Sequence, residues 1–345
     1  MKKIRLAISG VGAISYVHAH GMERIDNAEL VAICDIHREQ LDKFRKVFSV
    51  DEKNCYTDFD EMLKRDDIDA VIICTPDNDH KDTSIKALKA GKHVLCEKPM
   101  ALRLDECRDM VKATKETNKK FMIGQVCRKA PGFIKAKELV DSGIIGDIFF
   151  IESEYAHDYM NSPGIDNWRK SPDRHPIIGG GCHAVDLLRW ISGDPTEVFA
   201  YANHKMLPDW PVNDCVVSVL KFPNNIIGKV MTSIGCKRSY TMRTVIYGSK
   251  GTIITDNTSN TISLFKDKIS DEMDKIGYAD NMEIKIPVAV NSHNMTDEIK
   301  DFIFCIQNNT EPNPDCTQGF ITVAVCDAIV RSAETGDKIV IDYTC

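Results

Sequence analysis

Glu97, Lys98 and Pro99 place an acid, a base and a proline side by side, straight after the apolar run at residues 93–95. Ligands of open parallel sheets bind outside the carboxyl ends of the strands, so a lysine at a strand exit would face a substrate. Burial and a neighbouring cation would lower its pKa towards useful proton transfer. We predict that Lys98 is catalytic and contacts cofactor and substrate, that Glu97 supports it or holds cofactor, and that Pro99 fixes the backbone through a cis bond. A surface Glu-Lys pair beside a turn is the alternative.

A second reactive group follows three glycines, at residues 179–181. The glycines would let the chain approach a ligand closely, and His183, in the first turn of a predicted helix, can face a cleft. Asp186 is one turn further on and can contact or position the imidazole. We predict that His183 is a general base or hydrogen-bonding group. A zinc site of His175, His183 and Asp186, without a convincing fourth ligand, and a helix histidine satisfied by the backbone are the alternatives.

A glycine turn precedes both groups. The stretch at residues 10–15, GVGAIS, follows the first apolar run and opens a predicted helix, which is the context of a dinucleotide fingerprint. Ser15 stands in place of the third glycine. Asp35 ends the second strand, at the distance where an acid accepts hydrogen bonds from an adenosine ribose. This acid would repel a 2′-phosphate, so we expect NAD rather than NADP, although Arg38 leaves room for NADP. A glycine turn without a nucleotide is the alternative.

The loop after the fourth strand, at residues 75–80, should line the nicotinamide side of the same cleft. A proline turn with Asp79 as a helix cap would also explain its sequence. The predicted cofactor contacts are Gly10, Gly12, Ala13, Ile14, Asp35, Thr75, Pro76, His80, Glu97 and Lys98.

The elements that position these residues change character along the chain. In the first third, β-branched runs alternate with helical segments, which indicates a parallel sheet buried on both faces. Later runs, such as CVVSVLKF and GTIITDN, are joined by short turns, which indicates an antiparallel sheet. We predict an α/β protein with two domains: residues 1–124 form a dinucleotide-binding domain with a parallel sheet, and residues 125–345 form a second domain with an antiparallel sheet. Residues 267–282 are predicted to form a polar loop.

Bulk properties narrow the choice of partner. The chain has 345 residues, 28% of them charged, and a formal net charge of -7. This acidic balance argues against nucleic acid or an anionic membrane as the partner. Arg5 interrupts the apolar N-terminus, no run approaches the roughly 20 apolar residues of a membrane helix, and the 13 cysteines include no C-x-x-C pair. We therefore expect a cytoplasmic protein with reduced core cysteines, a small-molecule ligand and no metal.

Together these motifs resemble the Gfo/Idh/MocA oxidoreductase family over almost the whole chain. The resemblance rests on GVGAIS with His18 after it, AICD, TPDNDH, CEKP, GGGCHAVDLLRWISG and YGSKGTI. It implies an N-terminal Rossmann domain, residues 1–124, and a C-terminal α+β domain for substrate binding and oligomerisation, residues 125–345, whose large, mostly antiparallel open sheet forms oligomer contacts. It also implies that Lys98 and His183 flank the reacting carbon and that hydride passes between that carbon and a nicotinamide. Many relatives carry an Asp one turn before the histidine, where this chain has Gly179. The missing acid makes an inositol substrate less expected and widens the prediction to a ring secondary hydroxyl of a sugar, glycoside or cyclitol, including 3-oxo-glycoside formation.

Four residues of the loop before the helix could replace the missing acid: His157, Asp158, Asp173 and His175. Aromatic rings stack on sugars and arginine binds hydroxyls, although ordinary packing explains such residues equally well. The predicted substrate contacts are Lys98, Arg128, Tyr155, His157, Trp168, Arg169, His183 and Asp186, with Tyr159 a further candidate.

Two other functions remain open from the sequence. The same site could oxidise a sugar transiently and so permit cleavage of its glycosidic bond, with NAD recycled. The protein could also be a regulator that senses dinucleotide or sugar, although a sensor has no need for Lys98 and His183.

Overall fold

A computed structural model of the chain describes residues 3–267 and 281–345. Its first sheet has the strands β1 Ile4–Ser9, β2 Ala28–Cys34, β3 Cys55–Tyr56, β4 Ala70–Ile73, β5 His93–Glu97 and β6 Phe121–Gly124. The helices along this part of the chain are α1 Ala13–Met22, α2 Arg38–Phe48, α3 Phe59–Leu63, α4 His80–Lys89 and α5 Leu104–Thr117. The strand order is β3-β2-β1-β4-β5-β6, with parallel pairing throughout. This is the doubly wound order that the alternating sequence predicts, and its order reverses between β1 and β4.

Both faces of this sheet are covered, which explains why its strands read as continuous apolar runs. Alternate residues of β4 enter opposite cores: Val71 joins one cluster and Ile72 the other, and both are fully buried. Because every strand ends at the same edge, the residues that follow β1, β4 and β5 come together there.

The second sheet is large and mostly antiparallel, as predicted. Its strands are β7 Ile148–Ala156, β8 Glu197–Asn203, β9 Cys215–Lys221, β10 Ile227–Ser233, β11 Thr241–Gly248, β12 Gly251–Asp256, β13 Thr261–Asp267, β14 Asn281–Pro287 and β15 Ile339–Val340. They run in the order β14-β13-β12-β11-β7-β10-β9-β8-β15, and β7 and β10 are the parallel neighbours. The helices α6 Pro131–Asp141, α7 Pro176–Gly179 and α8 Cys182–Ser192 belong to the same part of the chain.

The chain divides into two compact units, and the first returns late in the sequence. It takes Met1–Val126, His293–Ala324 and Tyr343–Cys345, whereas the second takes Cys127–Ser292 and Val325–Asp342. The sequence analysis assigned all of residues 125–345 to one C-terminal domain. The difference arises because helix α9, Met295–Asn308, and the start of α10, Cys316–Thr335, supply buried side chains to the cores of the first sheet. The separate roles predicted for the two domains remain predictions.

Two further observations concern the chain as a whole. Most of the loop predicted at residues 267–282 lies outside the described residues, since 268–280 are not among them. Within the described ranges, the helices are too short or too polar to cross a membrane.

Candidate active site

The glycine turn after β1 lies against the carboxyl end of β4. Gly10 has a φ of +84°, and a Cβ there would lie 2.6 Å from the backbone of Cys74 and Thr75, so only glycine fits. A Cβ on Gly12 would meet nothing within 4 Å, which leaves open space at the N-terminus of α1. Ser15 is fully buried and its hydroxyl donates to the Gly12 carbonyl at 2.6 Å. The turn therefore fits the pyrophosphate of a dinucleotide, with the first amides of α1 facing that space.

Asp35 is joined to this turn by hydrogen bonds. Its Oδ2 accepts from the Val11 amide at 2.8 Å and its Oδ1 from the His37 amide at 2.8 Å. A carboxylate has about four acceptor sites, so both oxygens keep capacity for ribose hydroxyls. Arg38, which left room for NADP, donates to Glu52 at 2.6 Å and lies 3.5 Å from Asp42. Its charge is thus already balanced by two acids.

Lys98 is partly exposed between two buried neighbours, Glu97 and Pro99. The Lys98–Pro99 peptide bond is cis, as the sequence analysis predicted. Glu97 Oε1 accepts a hydrogen bond from His18 Nε2 at 2.8 Å, and Oε2 accepts from the Lys98 amide at 3.3 Å. Burial would raise the pKa of Glu97, but the hydrogen bond from His18 and the nearby charges of Lys98 and His80 outweigh it and lower that pKa. Glu97 therefore stays ionised beside the lysine.

The loop after β4 lies at the same edge. The Thr75 hydroxyl is buried and has no hydrogen-bond partner among the described residues, as expected of a group that a bound ligand would satisfy. Asp79 precedes α4, but its side chain makes no cap hydrogen bond, so the alternative reading of a capped turn is wrong.

His80 is fully buried and contacts two backbone carbonyls rather than the open cleft. Its Nδ1 lies 2.8 Å from the Pro99 oxygen and its Nε2 3.1 Å from the Thr75 oxygen. Burial would lower the pKa of His80, but Cys96, Asp77 and the Pro99 carbonyl raise it to about 10. The geometry favours a positioning role over the direct cofactor contact predicted from the sequence.

In the second unit, His183 lies buried in the first turn of α8, where the sequence analysis placed it. The carboxylate of Asp186 accepts a hydrogen bond from Arg128 Nε at 2.7 Å and another from Arg128 Nη2 at 2.8 Å. The pair is almost completely buried, with 5% of Arg128 and 1% of Asp186 exposed. A two-pronged ion pair of this kind fixes α8 rather than presenting two free groups to a substrate, as was predicted for them.

The three glycines before His183 make room for side chains. A Cβ on Gly179 would lie 2.5 Å from Nη1 of Arg174, and one on Gly180 would lie 2.6 Å from the Tyr155 ring. A Cβ on Gly181 would collide with Thr232. The sequence analysis predicted that these glycines let the chain approach a ligand. In the structure they instead leave space for neighbouring side chains, and Arg174 fills the space of the missing acid.

Arg174 lies against aromatic rings of the same loop. Its guanidinium carbon is 4.9 Å from the Trp168 ring centroid and 5.8 Å from that of Tyr159, and Nη2 donates to the Gly179 carbonyl at 3.1 Å. Arg169 covers Trp168 as well, at 4.5 Å. Such stacking stabilises a cation between rings.

The predicted phenolic contacts form a hydrogen-bonded chain. The Tyr155 hydroxyl lies 2.7 Å from that of Tyr159 and 3.2 Å from His157 Nδ1. Burial raises the pKa of Tyr155 and of Tyr240 well above the ordinary value, so both phenols stay protonated. The phenols of Tyr155 and Tyr240 can thus donate or accept hydrogen bonds but carry no negative charge.

The candidates for the missing acid have other contacts. Asp158 lies 3.2 Å from Lys237 Nζ, and His175 lies 3.9 Å from Glu334. Burial lowers the pKa of His175, so it stays neutral near pH 7. Among residues 3–267 and 281–345, no group of three or more histidine, cysteine or acidic residues is arranged to hold a metal ion. All 13 cysteines are unpaired by disulfides.

Sequence reasoning missed Arg174 as a site residue and gave no role to His18. The partner of His18 is 79 residues away, and the space taken by Arg174 depends on side-chain packing. The placement of His18 shortly after the glycine turn was the available signal. The described contacts unite the glycine turn, Thr75 and Lys98 with its neighbours at one sheet edge, whereas cooperation between Lys98 and His183 stays a prediction.

A doubly wound sheet with a glycine turn after β1 and an acid after β2 is the architecture of a dinucleotide-binding domain. Two family models match the chain: the oxidoreductase family with an NAD-binding Rossmann fold at residues 4–125, and the GFO/IDH/MocA C-terminal domain at residues 133–254. The chain belongs to the Gfo/Idh/MocA oxidoreductase family.

Relatives and solved structures agree with this assignment. The myo-inositol 2-dehydrogenase of Thermotoga maritima is 30% identical over 78% of this chain and 80% of its own length. The inositol 2-dehydrogenase of Rhizobium meliloti is 27% identical over 95% of this chain and 96% of its own. The fold matches that of levoglucosan dehydrogenase in complex with NADH, with a TM-score of 0.87, 22% identity and coverage of 99% of this chain and 100% of that one.

Proposed function

We propose that the protein is an NAD-dependent dehydrogenase that moves hydride between nicotinamide and a ring secondary alcohol of a sugar, glycoside or cyclitol. The observation that carries the proposal is the geometry at the carboxyl edge of the first sheet. There Lys98 lies between a buried, ionised Glu97 and Pro99, directly after β5. The neighbouring strand, β4, leads into Cys74 and Thr75, which pack against the Gly10 turn.

The chain supplies proton handling and orientation, and NAD, when bound, supplies the hydride acceptor. In the proposed reaction, Lys98 in its neutral amine form accepts a hydrogen bond from the hydroxyl of the carbon to be oxidised, and it takes that proton to become an ammonium group as hydride leaves. The ionised carboxylate of Glu97 accepts a hydrogen bond from the Lys98 amide and so holds the backbone of the lysine in place. His183 is proposed as the second proton partner, and the open space above Gly12 as the place of the pyrophosphate.

NAD rather than NADP is proposed because of the charges after β2. The carboxylate of Asp35 would repel a 2′-phosphate and hydrogen-bond a free ribose. Arg38, the cation that could offset this repulsion, is held by Glu52 at 2.6 Å. A 2′-phosphate would have to break that pair.

The substrate class is supported by the relatives, which are named as inositol and levoglucosan dehydrogenases. Many relatives carry an acid one turn before the histidine, whereas this chain has Gly179 there, and Arg174 covers that glycine. The phenol hydroxyls of Tyr155 and Tyr159 suit hydroxyl groups, and Trp168 and Arg169 suit a sugar ring. We therefore favour a sugar or a glycoside over an inositol as the substrate. Oxidation of a glycoside at its third carbon would give a 3-oxo-glycoside.

The test is spectroscopic. Purified protein is mixed with NAD and a panel of sugars, glycosides and cyclitols, and absorbance is followed at the reduced-nicotinamide band. We expect reduction of NAD with at least one glycoside, and a fall in kcat of about 10²–10⁴-fold in Lys98→Met. Lys92→Met is the matched control, because this lysine lies at the opposite end of β5, where it donates to the Arg65 carbonyl at 2.7 Å. Absence of NADH and of any oxidised product across the panel would refute the proposal.

The same panel separates a second candidate, redox-assisted cleavage of a glycosidic bond. The observation that favours it is at residue 179, where the resemblance led us to expect an acid. The chain has a glycine there, and Arg174 occupies the space that the acid would take. Release of free aglycone without net NADH would establish cleavage in place of simple dehydrogenation.

We also propose a homo-oligomer that assembles through the open sheet. Outward-facing positions of β9 are apolar: Val217 and Val219 are 41% and 51% exposed, and Tyr201 of the neighbouring β8 is 73% exposed. An apolar row of this kind on a soluble enzyme marks an interaction surface. Light scattering of the wild type and of Val219→Lys tests the assembly, with a smaller particle expected for the variant.

A further inference from the structure

Two buried histidines flank the proposed proton partner. His18 lies on α1 and His80 opens α4, and neither side chain has any exposed surface. His18 contacts Glu97, the residue before Lys98, and His80 contacts Pro99, the residue after it. The lysine backbone is therefore bounded by an imidazole contact on each side.

On the first side, the contact is between a donor and a carboxylate. An ionised carboxylate only accepts hydrogen bonds, so His18 Nε2 must carry the proton that faces Glu97 Oε1. Gly124, the strand neighbour of Glu97 on β6, packs closely against the backbone of β5, because a Cβ there would lie 3.3 Å from the Cys96 oxygen and from Glu97 Cα. The other carboxylate oxygen then accepts the Lys98 amide.

On the second side, the contact is with backbone oxygens. Both nitrogens of His80 face carbonyls, those of Pro99 and Thr75, and a carbonyl can only accept. Both nitrogens must therefore donate, which makes His80 an imidazolium. This cation ties the chain just after β5 to the chain just after β4.

We infer that His18 and His80 are positioning residues for Lys98, with His18 holding the carboxylate that precedes the lysine and His80 holding the carbonyl that follows it. The inference rests on the proposed function, which gives Lys98 the proton transfer. A lysine stem is flexible and does not fix its own terminal nitrogen, so a fixed backbone is needed to limit the space that this nitrogen can reach. A misplacement of about 1 Å in such a site can cost about 10²-fold in rate.

The experiment compares loss of each contact with its partial retention. His18→Leu and His80→Leu remove the donors, whereas His18→Gln keeps an amide N–H near the position of Nε2. His18→Asn, whose shorter amide does not reach Glu97, serves as a second loss variant with less disturbance of packing. His93→Leu is the matched control, because His93 begins β5 at its far end, where Nδ1 accepts from the Lys120 amide at 3.0 Å.

In steady-state kinetics, we expect the Leu and Asn variants to lose about 10²-fold in kcat while KM changes by less than about threefold. His18→Gln should recover most of the rate, and His93→Leu should stay close to wild type. NADH binding, followed by fluorescence, should survive in all variants. A folded His18→Leu or His18→Asn protein with wild-type kcat overturns the role of His18, and a folded His80→Leu protein with wild-type kcat overturns that of His80.

A second readout needs no substrate or cofactor. Lysine labelled with ¹³C and ¹⁵N reports the Lys98 side chain by NMR, with the signal assigned through Lys98→Arg. We expect that signal to shift or broaden in His18→Leu and His80→Leu but not in His93→Leu, and an unchanged signal would refute the inference. If the wild type oxidises nothing in the panel while the signal still shifts, the proposed function fails and the positioning role stands.

Discussion

At the scale of single residues, two carboxylates of the first unit are held by donors before any ligand binds. Asp35 accepts hydrogen bonds from two backbone amides, and Glu97 accepts one from the His18 imidazole and one from the Lys98 amide. Hydrogen bonds of this kind fix the orientation of a carboxylate. The position of the acceptor oxygens beside the predicted ribose is therefore set by the folded protein and does not depend on the cofactor.

The charge of Asp35 gives a prediction about cofactor choice. Asp35→Asn keeps the shape and one acceptor oxygen but removes the repulsion of a 2′-phosphate. We expect the preference for NADH over NADPH to fall by about tenfold or more, because each 1.4 kcal/mol of binding free energy is about tenfold in affinity. Fluorescence titration with both cofactors measures it. Glu29→Gln, which removes an exposed charge at the start of the same strand, is the control, and an unchanged preference in Asp35→Asn would contradict the prediction.

His80 gives a prediction about pH. Its pKa is about 10 in the folded protein and about 6.5 when unfolded, so the raised pKa stabilises the fold fully below about pH 6.5. This stabilisation is lost as pH rises through 10. Relative to His80→Gln, the wild type should lose about 2–3 kcal/mol in free energy of unfolding between pH 6.5 and 9. Urea denaturation at the two pH values measures it, and parallel pH dependence of both proteins would argue against an imidazolium at this position.

At the scale of elements, the loop before α8 depends on glycines at which side chains from other segments pack. Arg174 lies over Gly179, and Tyr155 of β7 lies over Gly180. The guanidinium is buried and stacked on Trp168. An acid cannot be introduced at residue 179 without moving the cation, so a positive group replaces a negative one near His183.

The packing at Gly179 can be tested by a double-mutant cycle. Gly179→Asp should destabilise the protein by about 1–2 kcal/mol, since its Cβ would displace the Arg174 guanidinium, the end of a flexible side chain, from its stack on Trp168. Arg174→Ala opens that space, so the double variant should be more stable than the sum of the two single changes, by about 1 kcal/mol or more. Urea denaturation of the four proteins measures the coupling. Strict additivity would mean that the two residues do not compete for space.

The elements themselves were largely predictable, because each depends on local pattern. Continuous apolar runs predicted the parallel strands, and the short turns predicted the antiparallel sheet. The cis bond before Pro99 and the glycine turn at residues 10–15 also follow from local chemistry. The contact of His18 with Glu97 and the cover of Arg174 over Gly179 did not, because each joins side chains through packing that no spacing rule describes.

At the scale of the whole molecule, the first compact unit is discontinuous in sequence. Segment 293–324 completes both of its cores: Phe302 of α9 joins one and Phe320 of α10 joins the other, both fully buried. The hydrophobic pattern of these helices predicts only that one face is buried, without saying against which partner. The boundary predicted at residue 124 therefore coincides with the end of the first sheet. The prediction did not include residues 293–324, which belong to the same compact unit.

The discontinuity predicts how fragments behave. A fragment of residues 1–126 should not fold cooperatively, because it lacks the side chains that fill both cores. Removal of even one, as in Phe302→Ala, should cost about 3–5 kcal/mol in the complete protein. A fusion of residues 1–126 to 293–324 through a flexible Gly/Ser linker should fold and bind NADH. Circular dichroism melting and fluorescence titration compare the two fragments, and a cooperative melt of residues 1–126 alone would disprove the requirement.

The return of the chain also has a consequence for biosynthesis. When the sixth strand leaves the ribosome, residues 127–292 must still be translated before the helices that close the first unit exist. At about 5–20 residues per second, that interval lasts on the order of ten seconds or more. During this interval the nascent sheet exposes apolar surface. A chaperone that binds such surface would therefore bind this chain while residues 127–292 are being translated.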